Sequence, residues 1–453
     1  MSIIRKNDNS LLLTSGNPAK RIVLFALPML GIEIIHLLYT MIDAFVVGRW
    51  LGINGLAAVG VGSSLTSFIF GFCFGISNGF TVITAQRVGS RNEEGIRRSV
   101  AAGIILSFFL CVIMLILLTV IRPLLSLMQT PAEILVDASV YVMITFCGAV
   151  PLLYSSLLSG IIRSSGDSFS PLVFFINGTV FKILFEILFV MFFSWGVRGA
   201  ALATLFAELI AAMISLCFLV KRLSSFIPRK GEWRITKKEA GEHLSLGIAM
   251  ALQRTIVEAG NILVQASING LGALTIAAVS AAQRVRGLNM MPVFTVAGAL
   301  TTYTAQNYGA GKMDRVNKGI FQTCFISLGL GVFMAALNHF TGARIVSLFL
   351  KDNTEAIALA ARYILITGYT VFLLGLMLVF RSALGGLGQK TPLILCGIME
   401  TVMSIFAAFV LIPRLGFVGV CLVNPLSWLV SGIPVYIAFA ILQRKFRIKG
   451  VGV

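Results

Sequence analysis

Long apolar stretches alternate with short polar ones along this chain. Each apolar stretch has about 20 residues or more, the length an α-helix needs to cross the hydrocarbon of a bilayer. The pattern therefore predicts an all-α membrane protein with twelve transmembrane helices. They are expected at about residues 20–46, 56–83, 97–120, 136–158, 171–193, 199–221, 243–268, 273–300, 317–339, 358–380, 391–412 and 417–441.

The sequence also repeats itself at one constant separation. The pattern Leu-Gly followed by Ala-Ala-Val begins at Leu51 and occurs again at Leu271, a separation of 220 residues. At the same separation, Thr84-Ala85-Gln86 recurs as Thr304-Ala305-Gln306, and Gly196 with Gly199 recurs as Gly416 with Gly419. A duplicated bundle in a membrane protein predicts two lobes with a substrate cavity between them.

The repeat and the count of spans together predict the domain organisation. Six spans precede a basic segment and six follow it. We expect an N-lobe at 1–221, a basic cytoplasmic linker at 222–241 and a C-lobe at 242–453, with the two six-helix lobes related by pseudo-two-fold symmetry.

Composition and charge support the membrane assignment. Hydrophobic residues make up 57% of the chain and charged residues 12%, against about 25% charged residues in a soluble domain. The net charge of +18 comes from Lys and Arg that crowd alternate ends of the spans, which indicates a lipid-facing basic fringe and no nucleic-acid partner. The positive-inside rule places both termini and the linker on the cytoplasmic side of the membrane. We expect that membrane to be a bacterial inner membrane.

The sequence lacks the residues that several classes of function require. The seven cysteines lie in apolar runs without a Cys-x-x-Cys pair, and His36, His243 and His339 are scattered, so no metal site is expected. No phosphate-binding loop of the Walker type and no nucleophile with its base is visible. The sequence favours a protein that is not an enzyme, has no cofactor and moves small molecules with an ion gradient. We expect it to act as a monomer.

Charged residues inside the predicted spans are the candidates for function. Each costs about 3 kcal/mol at a helix centre on insertion scales, so it should face a cavity or a partner. They are Glu33, Asp43, Lys182, Glu186 and Glu208 in the first half, and Arg254, Glu258, Arg284, Arg286 and Glu400 in the second.

Helix geometry groups some of these residues. Asp43, Glu186 and Thr204 all fall in the outer half of the first lobe, from the helical rise of about 1.5 Å per residue. His36 and Tyr39 share one face of the first span with Asp43. Lys182 and Glu186 are four residues apart, so we expect them to form an ion pair.

Four motifs carry a resemblance to a known family. They are Leu27-Pro28 with Tyr39-Thr40-Met41-Ile42-Asp43-Ala44-Phe45-Val46-Val47-Gly48, Arg163-Ser164-Ser165-Gly166-Asp167, Gly196-Val197-Arg198-Gly199-Ala200-Ala201-Leu202-Ala203-Thr204, and Ala305-Gln306-Asn307-Tyr308-Gly309-Ala310-Gly311-Lys312. In order and spacing they resemble the MATE (multidrug and toxic compound extrusion) family, nearest its branch of DNA-damage-inducible F transporters. The resemblance implies a twelve-helix, two-lobed antiporter that expels amphipathic, mainly cationic compounds against H⁺ or Na⁺.

The resemblance also implies roles for single residues. Asp43 matches the first-span acid implicated in ion coupling, and Lys182, Glu186 and Thr204 stand where the branch has Asn, an acid and Thr. Lys in place of Asn adds a cation. In the norfloxacin-exporter branch the acid of span 7 falls at Val257, one residue before Glu258, so H⁺ is the expected coupling ion.

The remaining in-span residues are candidates for substrate contact, and the function has rivals. The cavity candidates are Glu33, His36, Tyr39, Glu208, Arg254, Glu258 and Arg284; the second-half members are equally explained as a neutralising network that holds spans 7 and 8 together. The alternatives left open are a flippase of lipid-linked precursors and a channel.

Overall fold

The computed structural model describes residues 12–127, 132–350 and 353–448. Helices occupy all twelve predicted places, and the described residues hold no strand, so the all-α prediction is confirmed. The two chain ends, which the sequence places in the cytoplasm, lie outside the described residues.

The first half of the chain forms seven α-helices, one 3₁₀ turn and one π-helix before the linker. They are α1 Pro18–Trp50, α2 Gly52–Gly89, α3 Glu93–Leu117, a 3₁₀ turn Leu118–Val120 with α4 Ile121–Leu127, α5 Ala132–Ser164, α6 Phe169–Glu186 continued by a π-helix Ile187–Phe192, and α7 Gly196–Arg222. A 3₁₀ turn, Ser224–Phe226, lies in the linker before α8.

The second half follows the same plan. Its elements are α8 Lys237–Asn269, α9 Ala273–Gly309, α10 Met313–Leu350, α11 Thr354–Tyr369, α12 Val371–Gly386, α13 Lys390–Phe406 continued by a π-helix Ala407–Leu411, α14 Ile412–Leu415 and α15 Phe417–Ile448. In the described part of the chain, nine helices are long and apolar enough to cross a membrane, and α11 with α12, bent by 45°, makes a tenth. The predicted spans 7 and 8 are α8 and α9, long helices that carry in-span charges.

The sequence repeat has a counterpart in the backbone. The two π-helices begin at Ile187 and Ala407, which stand at the same separation as the repeated motifs. Gly196 and Gly416, also so separated, both have positive φ, +62° and +56°, a conformation that glycine adopts without steric cost. The repeat therefore extends to local features that sequence patterns do not specify.

The chain divides into two compact units whose borders differ from the predicted lobes. The first unit holds Leu27–Ala251 and the second Leu252–Val453 together with Leu13–Ala26. The border thus lies inside α8 instead of in the linker. Packing explains the difference, because α8 meets α2 at backbone contact where Gly79 faces Gly247.

The segment before α1 belongs to the second unit for an equally local reason. The Leu13 N–H donates to Gln306 Oε1 at 2.9 Å, and the Arg315 guanidinium donates to the Gly16 carbonyl at 2.8 Å. Gln306 belongs to the motif at the end of α9, and Arg315 lies in the first turn of α10. These two side chains therefore hold the chain segment that leads into α1.

Candidate functional site

The lysine of α6 and the acid of α1 form the centre of the candidate site. Lys182 Nζ donates to Asp43 Oδ1 at 2.8 Å and to the Tyr39 hydroxyl at 2.6 Å. The ammonium also lies 3.8 Å from the centroid of the Tyr39 ring, within the range of a cation–π contact. We call Tyr39, Asp43, Lys182 and Glu186 the Asp43 cluster.

Burial makes this ion pair different from a surface salt bridge. The Lys182 side chain is 7% exposed and that of Asp43 24% exposed. A buried lysine without a counter-charge is costly, whereas a hydrogen-bonded partner offsets much of that cost. Lys182 therefore depends on Asp43 and Tyr39 for its place in the bundle.

Glu186 completes the cluster in an unusual way. Glu186 is 1% exposed. With both acids ionised, no donor of the described residues reaches either carboxylate oxygen, and the Asp43 carboxyl is within hydrogen-bonding reach. Asp43 and Lys182 are within electrostatic range of it. Two carboxylates side by side offer only acceptors to each other, so a proton on one of them would supply the missing donor.

The predicted ion pair between Lys182 and Glu186 is wrong. The lysine reaches across to α1, where Asp43 and Tyr39 both accept hydrogen bonds from it. The spacing of four residues only allows the contact within one helix. It carries no information about a better partner on a neighbouring helix.

Two other first-half candidates, Thr204 and Glu208, have hydrogen-bond partners outside the cluster. Thr204 Oγ1 donates to the Ala200 carbonyl of its own helix at 3.3 Å. Glu208 accepts a hydrogen bond from Ser155 Oγ at 2.8 Å and is within electrostatic range of Lys182. Sequence reasoning missed Ser155, because nothing local marks a serine of α5 as the partner of an acid on α7.

His36 and Glu33 line the same helix as Asp43. The His36 ring lies 5.5 Å from the Tyr39 ring and 6.3 Å from the Phe175 ring, centroid to centroid. Glu33 is within electrostatic range of His36 and of Arg163. The predicted shared face of His36, Tyr39 and Asp43 agrees with the contact between the first two rings.

The neutralising network, the alternative expectation for the second-half candidates, stays a prediction. Among the described residues, no ion pair within 4.0 Å includes Arg254, Glu258, Arg284 or Arg286. Arg284 instead lies 5.7 Å from the centroid of the Phe349 ring. Glu258 Oε2 accepts from the Asn261 amide at 3.4 Å.

The net charge of the Asp43 cluster depends on whether Glu186 is ionised. Ionised Asp43 and Lys182 neutralise each other, so an ionised Glu186 leaves one uncompensated negative charge in a buried place. A proton removes that charge, and burial of an unpaired charge is far more costly than burial of a neutral group.

In the described part of the chain, no group of three or more His, Cys, Asp or Glu side chains has the geometry to hold a metal ion.

Comparison with known proteins shows which proteins this chain resembles. The MatE family model matches residues 28–188 and 249–410. The probable multidrug resistance protein YoeA of Bacillus subtilis is 26% identical over 444 residues, 94% of each chain. DNA damage-inducible protein F of Escherichia coli is 28% identical over 199 residues, covering 44% of this chain and 43% of its own. A crystal structure of a MATE protein with a P26A substitution has a TM-score of 0.87 at 21% identity, covering 97% of this chain and 98% of its own.

Proposed function

Because the chain belongs to the MatE family, whose proteins are multi-pass membrane transporters and not enzymes, we propose that it is a secondary antiporter coupled to protons. It exports amphipathic, mainly cationic organic compounds by alternating access. The membrane is the bacterial inner membrane, with both termini on the cytoplasmic side, as the distribution of Lys and Arg favours.

The Lys182 ammonium is the observation that carries the choice of proton over sodium. It lies 2.8 Å from Asp43 Oδ1, in the place next to the carboxylate that a sodium ion would need. A covalently attached cation cannot be released in each cycle, whereas a proton on Glu186 or Asp43 can. Protonation then changes the charge of the cluster and allows the helices to repack, which shifts the balance between two conformations.

Efflux from proteoliposomes tests this proposal. We expect a pH gradient alone to drive ethidium efflux, and an imposed Na⁺ gradient with the pH gradient collapsed by an ionophore to drive none. Transport that follows Na⁺ and ignores the pH gradient would contradict proton coupling. Single-channel recording on the same preparation distinguishes the antiporter from a channel, which would pass current without a coupling gradient.

A further inference from the structure

The linker and the helix ends on either side of it carry a dense group of exposed cations. Seven lysines and arginines occur between positions 221 and 238, and all seven residues are exposed. They are Lys221 and Arg222 at the end of α7, Arg229, Lys230 and Arg234 between the helices, and Lys237 and Lys238 at the start of α8. We call these seven residues the basic surface.

The acids nearest in sequence to the basic surface are engaged by other residues. The acids of the linker and of the first turns of α8 pair with arginines of α2 and α3: Glu232 with Arg97, Glu239 with Arg98, and Glu242 with Arg87. Glu239 also accepts hydrogen bonds from the Thr236 N–H and hydroxyl, at 2.9 and 2.7 Å, which caps the start of α8. In the described part of the chain, no cation of the basic surface has an ion-pair partner within 4.0 Å.

The linker is folded against the neighbouring helices, so the basic surface has a defined shape. Phe226 is 7% exposed and belongs to a core cluster with residues of α2, α3 and α5. The Arg229 N–H donates to Glu232 Oε2 at 2.8 Å, and the Glu232 N–H donates to the Arg229 carbonyl at 2.8 Å. A segment that is already ordered loses little conformational entropy when it binds a partner.

The place of the basic surface in the fold favours lipid as its partner. It begins in the last turn of α7, a helix long and apolar enough to cross a membrane, so its side chains are within reach of the bilayer surface. The neighbouring Trp233 is 41% exposed, and tryptophan is enriched at the boundary between membrane and water. A group of about four to eight lysines and arginines beside a membrane span attracts anionic lipid headgroups.

We propose that the basic surface binds the headgroups of anionic phospholipids in the adjacent bilayer leaflet, with the Trp233 ring in the interface. The lipid phosphates balance the cations that have no ion-pair partner, and the membrane covers the indole. A soluble polyanion would meet the same charges but would leave Trp233 in water. The binding is independent of transport and of the coupling ion; only the statement that this leaflet is cytoplasmic rests on the proposed orientation.

Fluorescence quenching in the purified full chain, held in a non-ionic detergent, tests the proposal. The probes are phosphatidylglycerol and phosphatidylcholine with brominated acyl chains, and the Trp233 signal is the difference between each protein and the same protein with Trp233→Phe. We expect phosphatidylglycerol to quench Trp233 at a lower concentration than phosphatidylcholine does. Lys230→Gln with Arg234→Gln should weaken phosphatidylglycerol binding about tenfold and leave phosphatidylcholine binding unchanged.

Charge-keeping and distant substitutions are the controls. Lys230→Arg with Arg234→Lys should bind both lipids as the parent does, and about 1 M salt should remove the preference for phosphatidylglycerol, because the Debye length is then about 3 Å. Arg122→Gln with Arg198→Gln removes two exposed arginines at the starts of α4 and α7 and should leave the preference intact.

Four outcomes would overturn the proposal. They are equal binding of the two lipids by the parent, parent-like binding of phosphatidylglycerol by the double glutamine variant, an equal loss in the distant control, and an equal loss of both lipids. Displacement of phosphatidylglycerol by a short RNA or an acidic peptide at lower concentration would assign the basic surface to a soluble polyanion instead.

Discussion

At the scale of single residues, Lys182 decides how the candidate ion site works. The resemblance implies Asn at this position, which could share an ion with the neighbouring acids. Lysine fills that space with its own charge and ties α6 to Asp43 and Tyr39 of α1. In the proposed mechanism, proton coupling depends on this one lysine, and replacing it should change the ion selectivity of transport.

Lys182→Asn should therefore make the protein sensitive to sodium. The substitution frees the carboxylate of Asp43 and leaves an amide oxygen beside it, so a cation can enter. We expect transport by the variant to gain a response to imposed Na⁺ gradients that the parent lacks, measured in proteoliposomes. A variant that responds only to pH would show that Lys182 does not exclude Na⁺.

The contact between Lys182 and Asp43 should also appear as an energetic coupling. Asp43→Asn strands a buried ammonium, so it should lower thermal stability and abolish proton-driven transport, whereas Asp43→Asn with Lys182→Asn removes both charges and should recover stability. We expect a coupling above about 1 kcal/mol in a double-mutant cycle on thermal unfolding in detergent. Additive effects of the two substitutions would mean that the two side chains act independently.

Glu186→Gln tests the state of the unpaired carboxyl. Glutamine resembles the protonated acid and adds donors where both oxygens lack partners, while Lys182 keeps Asp43. Stability should stay the same or rise, and proton-driven efflux should be lost because the group can no longer titrate. A marked fall in melting temperature would show that ionised Glu186 is a structural partner.

At the scale of elements, a largely buried ion pair joins the linker to α3. Arg97 Nε of α3 donates to both carboxylate oxygens of Glu232, at 2.9 and 2.8 Å, and the two side chains are 8% and 12% exposed. The Glu232 oxygen also accepts from the Arg229 N–H at 2.8 Å. The hydrogen bond from Arg97 holds the pKa of Glu232 below its ordinary value.

Glu232→Gln should accordingly lower stability in a pH-dependent way. A carboxylate whose pKa is depressed on folding stabilises the fold above its unfolded pKa, about 4.3, and loses that contribution as the pH falls through the lower folded value. The parent should unfold at a higher temperature than the variant at pH 7, and the difference should shrink as the pH falls from about 4.3 through the lower folded pKa of Glu232. Glu94→Gln is the matched control, because Glu94 pairs with Arg98 at 60% exposure and exposed pairs contribute little.

At the scale of the whole molecule, the border between the two compact units differs from the border between the two copies of the sequence repeat. The first unit keeps the beginning of α8 and the second keeps Leu13–Ala26. Each assignment follows from a few close contacts: Gly79 with Gly247, and the Gln306 and Arg315 side chains with the backbone of 13–16. The motif at the end of α9 thus has a structural task that its resemblance to the family does not reveal.

Gln306→Ala should destabilise the protein by leaving the buried Leu13 N–H without its acceptor, at a cost of about 1–3 kcal/mol. Thermal unfolding in detergent measures the effect. Thr301→Ala on the same helix is the control, since that hydroxyl bonds its own helix at 3.4 Å. Equal melting temperatures for the two variants would show that the contact at Leu13 adds nothing to stability.

The sequence by itself determined the class of the protein, its twelve helices and its repeat. Apolar length, intramembrane charge and turn glycines are local properties, and a helix in a bilayer satisfies its own backbone hydrogen bonds. It also identified Asp43, Lys182 and Glu186 as candidates, because a charged residue inside an apolar span can be recognised from the linear sequence. Only the tertiary structure decided which of them pair. Lys182 pairs with Asp43 of a neighbouring helix, and Ser155 donates to Glu208. Such contacts between helices depend on rotation and depth, which the order of residues along one helix does not encode.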